Sequence, residues 1–293
     1  MQLAARTQEL NTISRCKTLL GTFVEITISG NESDDYLIQL TNDAFNEISR
    51  IEKIMSYYDD ESEVTLLNKF AHKKDCEVSS DLLVVLKKAL NLSDLSNGLF
   101  DVTIVPSLVK QKLLLKKYHF LDKKSSYKDI IIKGNYISFN RKLAIDLGGI
   151  AKGYAVDKAM SLLEEFSDMD IVINAGGDIA MNNSRGKLID IRYSKFGNLV
   201  KLPMYNKSLA TSANYYQKEG KSAIINPKTK SVNLSNKTVS VFANDCITAD
   251  ALTKVSFLAE NISYILKSMS ARAFEIDDKG RIKEIQLVKV LGI

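Results

Sequence analysis

Tryptophan is absent from this chain of 293 residues, and cysteine and proline occur only three times each. Cys16, Cys76 and Cys246 are an odd number without a C-x-x-C pair, which argues against both a disulfide framework and a structural zinc site. So few prolines leave no evident interdomain linker, and no internal repeat or low-complexity tract divides the chain. No stretch approaches the roughly 18 consecutive apolar residues of a membrane helix. The start, M-Q-L-A-A-R-T-Q-E-L-N, has no apolar block resembling a signal peptide. The chain as written is expected in the cytoplasm, or exported or lipid-anchored if a leader has been removed.

Charge of either sign is in little excess: the net charge is +5. Much of it falls in residues 110–133, where Lys110, Lys112, Lys116, Lys117, Lys123, Lys124, Lys128 and Lys133 interleave with Tyr118, Phe120 and Tyr127. Such a run could stack and neutralise nucleic acid, but no nucleic-acid motif accompanies it, and a solvated connection is the simpler reading. No nucleic-acid partner is expected.

What the chain does have is periodicity, with 45% hydrophobic residues, enough for a sizeable core. L-L-G-T-F-V-E-I-T-I at 19–28 alternates as a strand, Phe23 being out of phase with Val24 and Ile26. Leu37, Ala44, Ile48, Ile51 and Met55 mark a helix ending near Ser56-Tyr57-Tyr58. A second helix, with Leu82, Leu86, Ala89 and Leu90, stops at Asn97-Gly98. From residue 130 short strands are expected, D-I-I-I-K, Y-I-S-F-N, L-A-I-D-L, D-I-V-I-N-A and G-K-L-I-D-I-R. Between them fall helices at 150–165, with Ala155, Ala159, Leu162 and Leu163 on one face, and at 248–260, then a hairpin turning at D-D-K-G. Strand runs and helix runs without strict alternation imply an α+β class.

Small and polar residues at the ends of these elements suggest a site. They are Gly21-Thr22, Asp101-Val102-Thr103, the turn from Asp146 to Lys152, Asn174-Ala175-Gly176-Gly177-Asp178, and Thr248 to Thr253. In L-A-I-D-L-G-G-I-A-K-G-Y-A at 143–155 an expected strand meets a glycine pair, then a lysine, then a helix. A helix start presents free N–H groups and a positive dipole end, so Gly148, Gly149 and Lys152 are suited to a phosphate. The spacing matches neither the P-loop nor the dinucleotide fingerprint.

These stretches resemble the ApbE family, the FAD:protein FMN transferases. The matching motifs are L-G-T-F-V-E-I at 20–26, M-S-Y-Y-D-D-E-S-E-V-T-L-L-N at 55–68, G-L-F-D-V-T-I-V-P at 98–106, I-D-L-G-G-I-A-K-G-Y-A-V-D at 145–157, I-N-A-G-G-D-I at 173–179, A-T-S-A-N-Y at 210–215, I-I-N-P-K-T at 224–229 and A-D-A-L-T at 249–253, in the family's order. The resemblance implies an N-terminal extension over 1–18 and one ApbE-like α+β domain over 19–293. That domain would have mixed or antiparallel sheets flanked by helices and an FAD cleft between two lobes. It implies transfer of FMN from FAD to a Thr or Ser hydroxyl of an acceptor flavoprotein, with release of AMP. By resemblance FAD meets Thr22, Tyr58, Asp101, Thr103, Gly148, Gly149, Lys152, Gly177, Asp178, Thr211, Ser212 and Ile225, and Asp250 and Lys152 are the catalytic pair. Mg²⁺ is implied at Gly149, Asp250 and Thr253.

The chain departs from the family at chemically important positions. A threonine expected four residues after Asp250 is Lys254, which on a helix shares a face with Asp250, so an ammonium could weaken or replace the metal. The family's H-I-I-D-P-x-T-G reads A-I-I-N-P-K-T-K, with Ala223, Asn226 and Lys230 in place of His, Asp and Gly. Ala213 and Val105 each replace a glycine. Loss of a general base and of a metal would slow transfer, so the alternative reading is a catalytically inactive FAD-binding or flavin-carrier protein of the same family.

Overall fold

Leu20 and Gly21 both take positive φ, 56° and 70°, the backbone that lets two residues turn a hairpin without splaying its strands. They join β1 (Asn11–Leu19) to β2 (Thr22–Gly30), so the expected strand begins three residues later than its alternation suggested, and the expected N-terminal extension carries an edge strand. A computed structural model describes residues 10–119, 121–166, 168–214 and 221–285; Phe120 and Tyr215 lie outside the described residues. After the hairpin come α1 (Asp34–Met55), α2 (Glu63–Phe70), β3 (Cys76–Glu77), α3 (Ser80–Leu95), α4 (Val105–Lys110), β4 (Ile130–Lys133), β5 (Tyr136–Phe139) and α5 (Ala151–Leu163). The second half contains β6 (Asp170–Ala175), β7 (Asp178–Met181), β8 (Leu188–Arg192), β9 (Leu199–Pro203), β10 (Ser208–Ala213), β11 (Thr238–Ala243), α6 (Cys246–Leu258), α7 (Ser263–Ser268), β12 (Arg272–Ile276) and β13 (Ile282–Glu284).

Eight strands form one antiparallel sheet in the order β1-β2-β6-β7-β10-β11-β12-β13. Its period-2 alternation separates two cores. Ala210 and Val241 face a large core shared with the helices, whereas their neighbours Leu209 and Phe242 join Ile191 and Leu202 of the β8–β9 ribbon. On the helical side α1 lies over β1 and β2, α5 over β6 and β7, and α6 over β7, β10 and β11. Within α5 the expected face holds at Ala155, Ala159 and Leu163, all buried, but Leu162 is 36% exposed, because the stripe facing α1 and α6 turns past it. A smaller lobe carries α2, α3 and the sheet β3-β5-β4. It is tied to α5 by Tyr154, which donates to Asp81 of α3 at 2.6 Å while Arg50 of α1 sits 2.7 Å from the same carboxylate.

One further expectation needs correction. L-A-I-D-L at 143–147 is not a sheet strand. Its backbone is satisfied by a side chain instead: Asn68 accepts from Ile145 N–H at 2.7 Å and donates to Ile145 O at 2.9 Å, while Asp146 N–H donates to Val102 O at 2.9 Å. The aromatics of the lysine run also point inward. Tyr118 packs edge-on against Tyr57 and Tyr127 is buried, so neither offers an open face for a base. Among the described residues no helix is long and apolar enough to cross a membrane.

Candidate functional site

The start of α5 does not hold the open row of N–H donors expected of it. Ile150 and Ala151 donate to Leu147 O at 3.0 and 2.8 Å, and Gly153 N–H donates to Asp250 Oδ2 at 3.2 Å. Asp250, on α6, thus occupies the dipole end of α5. The relation is reciprocal. Asp157 of α5 accepts from Cys246 and Ile247 N–H at the start of α6, at 2.7 and 2.8 Å, beside the cap Asp245, which accepts from Thr248 N–H at 2.9 Å. The helices come closest at Gly153, where a Cβ would lie 2.3 Å from the Cys246 carbonyl oxygen.

Two lysines and two carboxylates meet at this junction. Lys152 Nζ lies 2.6 Å from Asp178 Oδ2 and 3.4 Å from Asp250 Oδ2. Lys254 Nζ pairs with Asp250 Oδ1 and donates to the Asp250 main-chain carbonyl at 3.0 Å. Burial works against every charge here, and the pairing decides the outcome. Despite its burial, Asp250 is held below the usual carboxylate range by Lys152 and Lys254, whereas burial and the neighbouring Asp250 push Asp178 up. Burial likewise opposes the charge on Lys152, but Asp178 and Asp250 hold its pKa above the ordinary lysine value.

Above the quartet opens a cleft of about 1070 Å³. Of the expected ligand-binding residues, Thr22, Tyr58, Asp101, Gly148, Gly149, Lys152, Gly177, Thr211, Ser212 and Ile225 line it. Thr103, Asp178, Asp250 and Thr253 do not: they are 4%, 3%, 0% and 0% exposed and stand behind the wall. Thr103 holds Asp101 in place, donating to Asp101 Oδ1 from its N–H at 2.8 Å and its hydroxyl at 2.7 Å. Thr211 pairs with Ser240 at 2.9 Å, and Ser212 with Thr253 at 2.7 Å. Gly176 takes φ +64°, and a Cβ there would sit 2.4 Å from Thr22 Oγ1, so only glycine lets the 176–177 turn close on β2. Phe23 is 72% exposed at the cleft and Tyr58 is anchored through its hydroxyl to Leu113 O at 3.1 Å.

The sequence model of the ApbE family matches residues 20–272. The chain belongs to the ApbE family. It is similar to a Vibrio cholerae protein named "FAD:protein FMN transferase", 25% identical over 227 residues that cover 68% of this chain and 66% of that protein. A Chlamydia pneumoniae protein of the same name is 29% identical over 228 residues, covering 70% of this chain and 72% of the relative. Among solved structures, the Vibrio cholerae flavin transferase ApbE superposes with a TM-score of 0.77 at 22% identity, covering 94% of this chain and 96% of that one. The ApbE protein of Thermotoga maritima gives 0.79 at 23% identity, covering 94% and 97%. At these identities the solved structures establish the fold.

The departures from the ApbE pattern separate into two kinds. Asn226 still accepts from Lys228 and Thr229 N–H, at 2.9 and 3.2 Å, as an aspartate would, and Lys230 tolerates φ 58° at a glycine position. These preserve the loop. Ala223 leaves a methyl on the cleft wall where an imidazole is expected. Lys254 changes the charge arrangement: its Cε lies 3.5 Å from where a Gly149 Cβ would be, and its ammonium reaches Asp250. The side chain therefore spans the two groups that a bridging Mg²⁺ would join. Asp250 Oδ2 serves Lys152 and Gly153 N–H, and Thr253 Oγ1 donates to Asp250 O at 2.7 Å. With its oxygens committed to two ammonium groups, this donor set does not fit Mg²⁺.

Asn68 and Asp157 were not among the site residues expected from sequence, and Asp146 was marked only as the start of the turn to Lys152, with no role of its own. Asp146 carried a signal, being out of phase with the apolar positions Leu143, Ile145 and Leu147. Asp157 closes the quoted I-D-L-G-G-I-A-K-G-Y-A-V-D motif, but its partners lie 89 and 90 residues away and no local pattern reveals them.

Proposed function

We propose that this chain is an FAD:protein FMN transferase that moves FMN from FAD to a Thr or Ser hydroxyl of an acceptor flavoprotein and releases AMP. The observation that carries the reading is the lysine and carboxylate quartet directly behind the Gly148-Gly149 turn of a cleft large enough for a dinucleotide. FAD is the substrate in this account. Its pyrophosphate lies along the Gly148-Gly149 turn against Lys152 and Lys254, two donors of charge-assisted hydrogen bonds. The isoalloxazine and adenine then meet the Tyr58, Gly177 and Thr211-Ser212 walls. Asp178 and Asp250, behind the wall, orient the lysines.

Lys254 takes the place of Mg²⁺. A fixed ammonium neutralises phosphate charge in the bound substrate and as charge shifts to the leaving AMP, so positioning and electrostatics, which are most of what phosphoryl transfer requires, remain available. An ammonium carries one charge where a divalent ion carries two, and slower transfer than in metal-dependent relatives follows.

The test is incubation with FAD and an acceptor protein that the Vibrio cholerae relative flavinylates. Covalent yellow fluorescence on the denatured acceptor, with one AMP released per flavin attached, is the expected result. FAD retained without covalent transfer would favour the flavin-carrier reading, to which the methyl of Ala223 on the cleft wall lends its support.

A further inference from the structure

An acceptor hydroxyl that attacks phosphorus must lose its proton, and the position expected to take it is Ala223. Several carboxylates stand in or behind the cleft wall. Asp178 and Asp250 are committed to lysines. Asp101 accepts three hydrogen bonds, two from Thr103 and one from Tyr127 N–H at 3.4 Å. Glu25 accepts from Ser14 Oγ at 3.0 Å, and Asp190 pairs with Lys201 at 3.2 Å on the β8–β9 ribbon. Asp146, unlike the exposed Glu25 on the β1–β2 hairpin, sits at the Gly148-Gly149 turn. Among the described residues it has no ion-pair partner, and its carboxylate accepts one hydrogen bond, from Gly148 N–H at 3.2 Å.

We infer that Asp146 is the general base of the transfer, accepting the hydroxyl proton in place of the missing imidazole. The inference rests on the transferase reading above and extends it. Three observations support it. Asp146 lines the same cleft wall as Gly148 and Gly149. Its Oδ2 lies 3.1 Å from where a Gly148 Cβ would be, so the carboxylate folds over the turn assigned to the pyrophosphate, with lone pairs left for a hydroxyl. It is also suited to accept a proton near neutral pH: burial pushes it up to about 6, against the lowering effects of Gly148 N–H and Lys152. The other titratable groups facing it are Tyr57 and Tyr58, whose own pKa values burial raises, with a further contribution from Asp146, so both remain neutral as Asp146 titrates.

The step balances without an oxidant or reductant. The acceptor oxygen forms a bond to the FMN phosphorus, and the bond from that phosphorus to the oxygen shared with AMP breaks, its electron pair leaving on AMP. The hydroxyl proton passes to Asp146 and from there to water in the cleft.

The test is the single-turnover rate of covalent FMN transfer to an acceptor that the Vibrio cholerae relative flavinylates, measured as a function of pH. The wild-type rate should rise with pH through an apparent pKa near 6, since the base works deprotonated. Asp146→Asn should lower the plateau by about a hundredfold or more and abolish that rise, with FAD affinity within about twofold of wild type. Asp146→Glu should restore part of the rate. A flat wild-type profile overturns the inference without any variant being made, and so does Asp146→Asn retaining the rise or losing FAD affinity, which would assign Asp146 to the turn. Failure of the wild-type protein to transfer at all overturns the transferase reading and this inference with it, an outcome distinct from transfer with a flat profile.

Discussion

The starts of α5 and α6 are built alike and charged differently. Each helix lends a carboxylate to the other's first turn, Asp250 to Gly153 N–H and Asp157 to Cys246 and Ile247 N–H, and each carboxylate is largely withdrawn from water. Burial raises both. At Asp157 only backbone N–H groups and the more distant Lys88 oppose it, and the pKa settles at about 7. At Asp250 two ammonium groups oppose it, and the carboxylate stays charged. The same cap geometry therefore yields a structural joint in one helix and a charge site in the other. The difference is made by Lys152 and Lys254, side chains 27% and 21% exposed that reach the cleft from behind.

The contrast can be broken most severely at the charged joint. Asp250→Ala strands Lys254, leaves Lys152 with Asp178 alone and opens the Gly153 N–H, and should destabilise the fold by about 3 kcal/mol, the low end for breaking a buried pair because both ammoniums retain some water. Urea unfolding measures it. Asp157→Ala, which removes a cap and strands no cation, should cost only about 1 kcal/mol in the same assay. Equal losses would mean that the two carboxylates do the same work.

The crossing of the helices is the next test. Gly153→Ala places a methyl 2.3 Å from Cys246 O, where backbone cannot yield cheaply, and should cost about 2 kcal/mol of stability while parting both joints at once. A melting temperature unchanged from wild type would show that α5 and α6 do not rely on their closest contact.

A smaller effect sharpens the comparison through pH. Asp157 in the folded protein keeps its proton up to about pH 7, whereas an unfolded aspartate loses it near its ordinary value of 3.8, so folding takes up a proton between these limits. Its contribution to stability is greatest at low pH and is lost as pH rises through about 7. Asp157→Asn removes that titration, and the melting temperature of wild type minus that of the variant should fall between about pH 4 and pH 7. A difference that stays constant would show that Asp157 is charged throughout.

Much of this was legible in the sequence wherever a local period reports on burial. Val24 and Ile26 against Phe23, and Ile48, Ile51 and Met55 along α1, appear in the structure in the phases expected. The Asp250 and Lys254 pair was legible too, since helical spacing alone places i and i+4 together. What escaped was long-range satisfaction of polar backbone. Leu143, Ile145 and Leu147 alternate as a strand does, but their neighbour is a carboxamide 77 residues away in sequence rather than a strand. The start of α5 reads as an open anion site, yet the anion that fills part of it is Asp250, which only the fold brings there. The edge strand β1 is polar and exposed along most of its length, so it carries no amphipathic signal.

The central claim is that Lys254 supplies the positive charge for which the family's pattern enlists Mg²⁺. Isothermal titration of the wild-type protein with FAD, at zero and at millimolar Mg²⁺, tests it most directly, with Lys254→Thr titrated alongside. The account predicts one FAD affinity for the wild type in both conditions and an affinity for the variant that strengthens when Mg²⁺ is added. Strong and equal Mg²⁺ dependence in both proteins would contradict it.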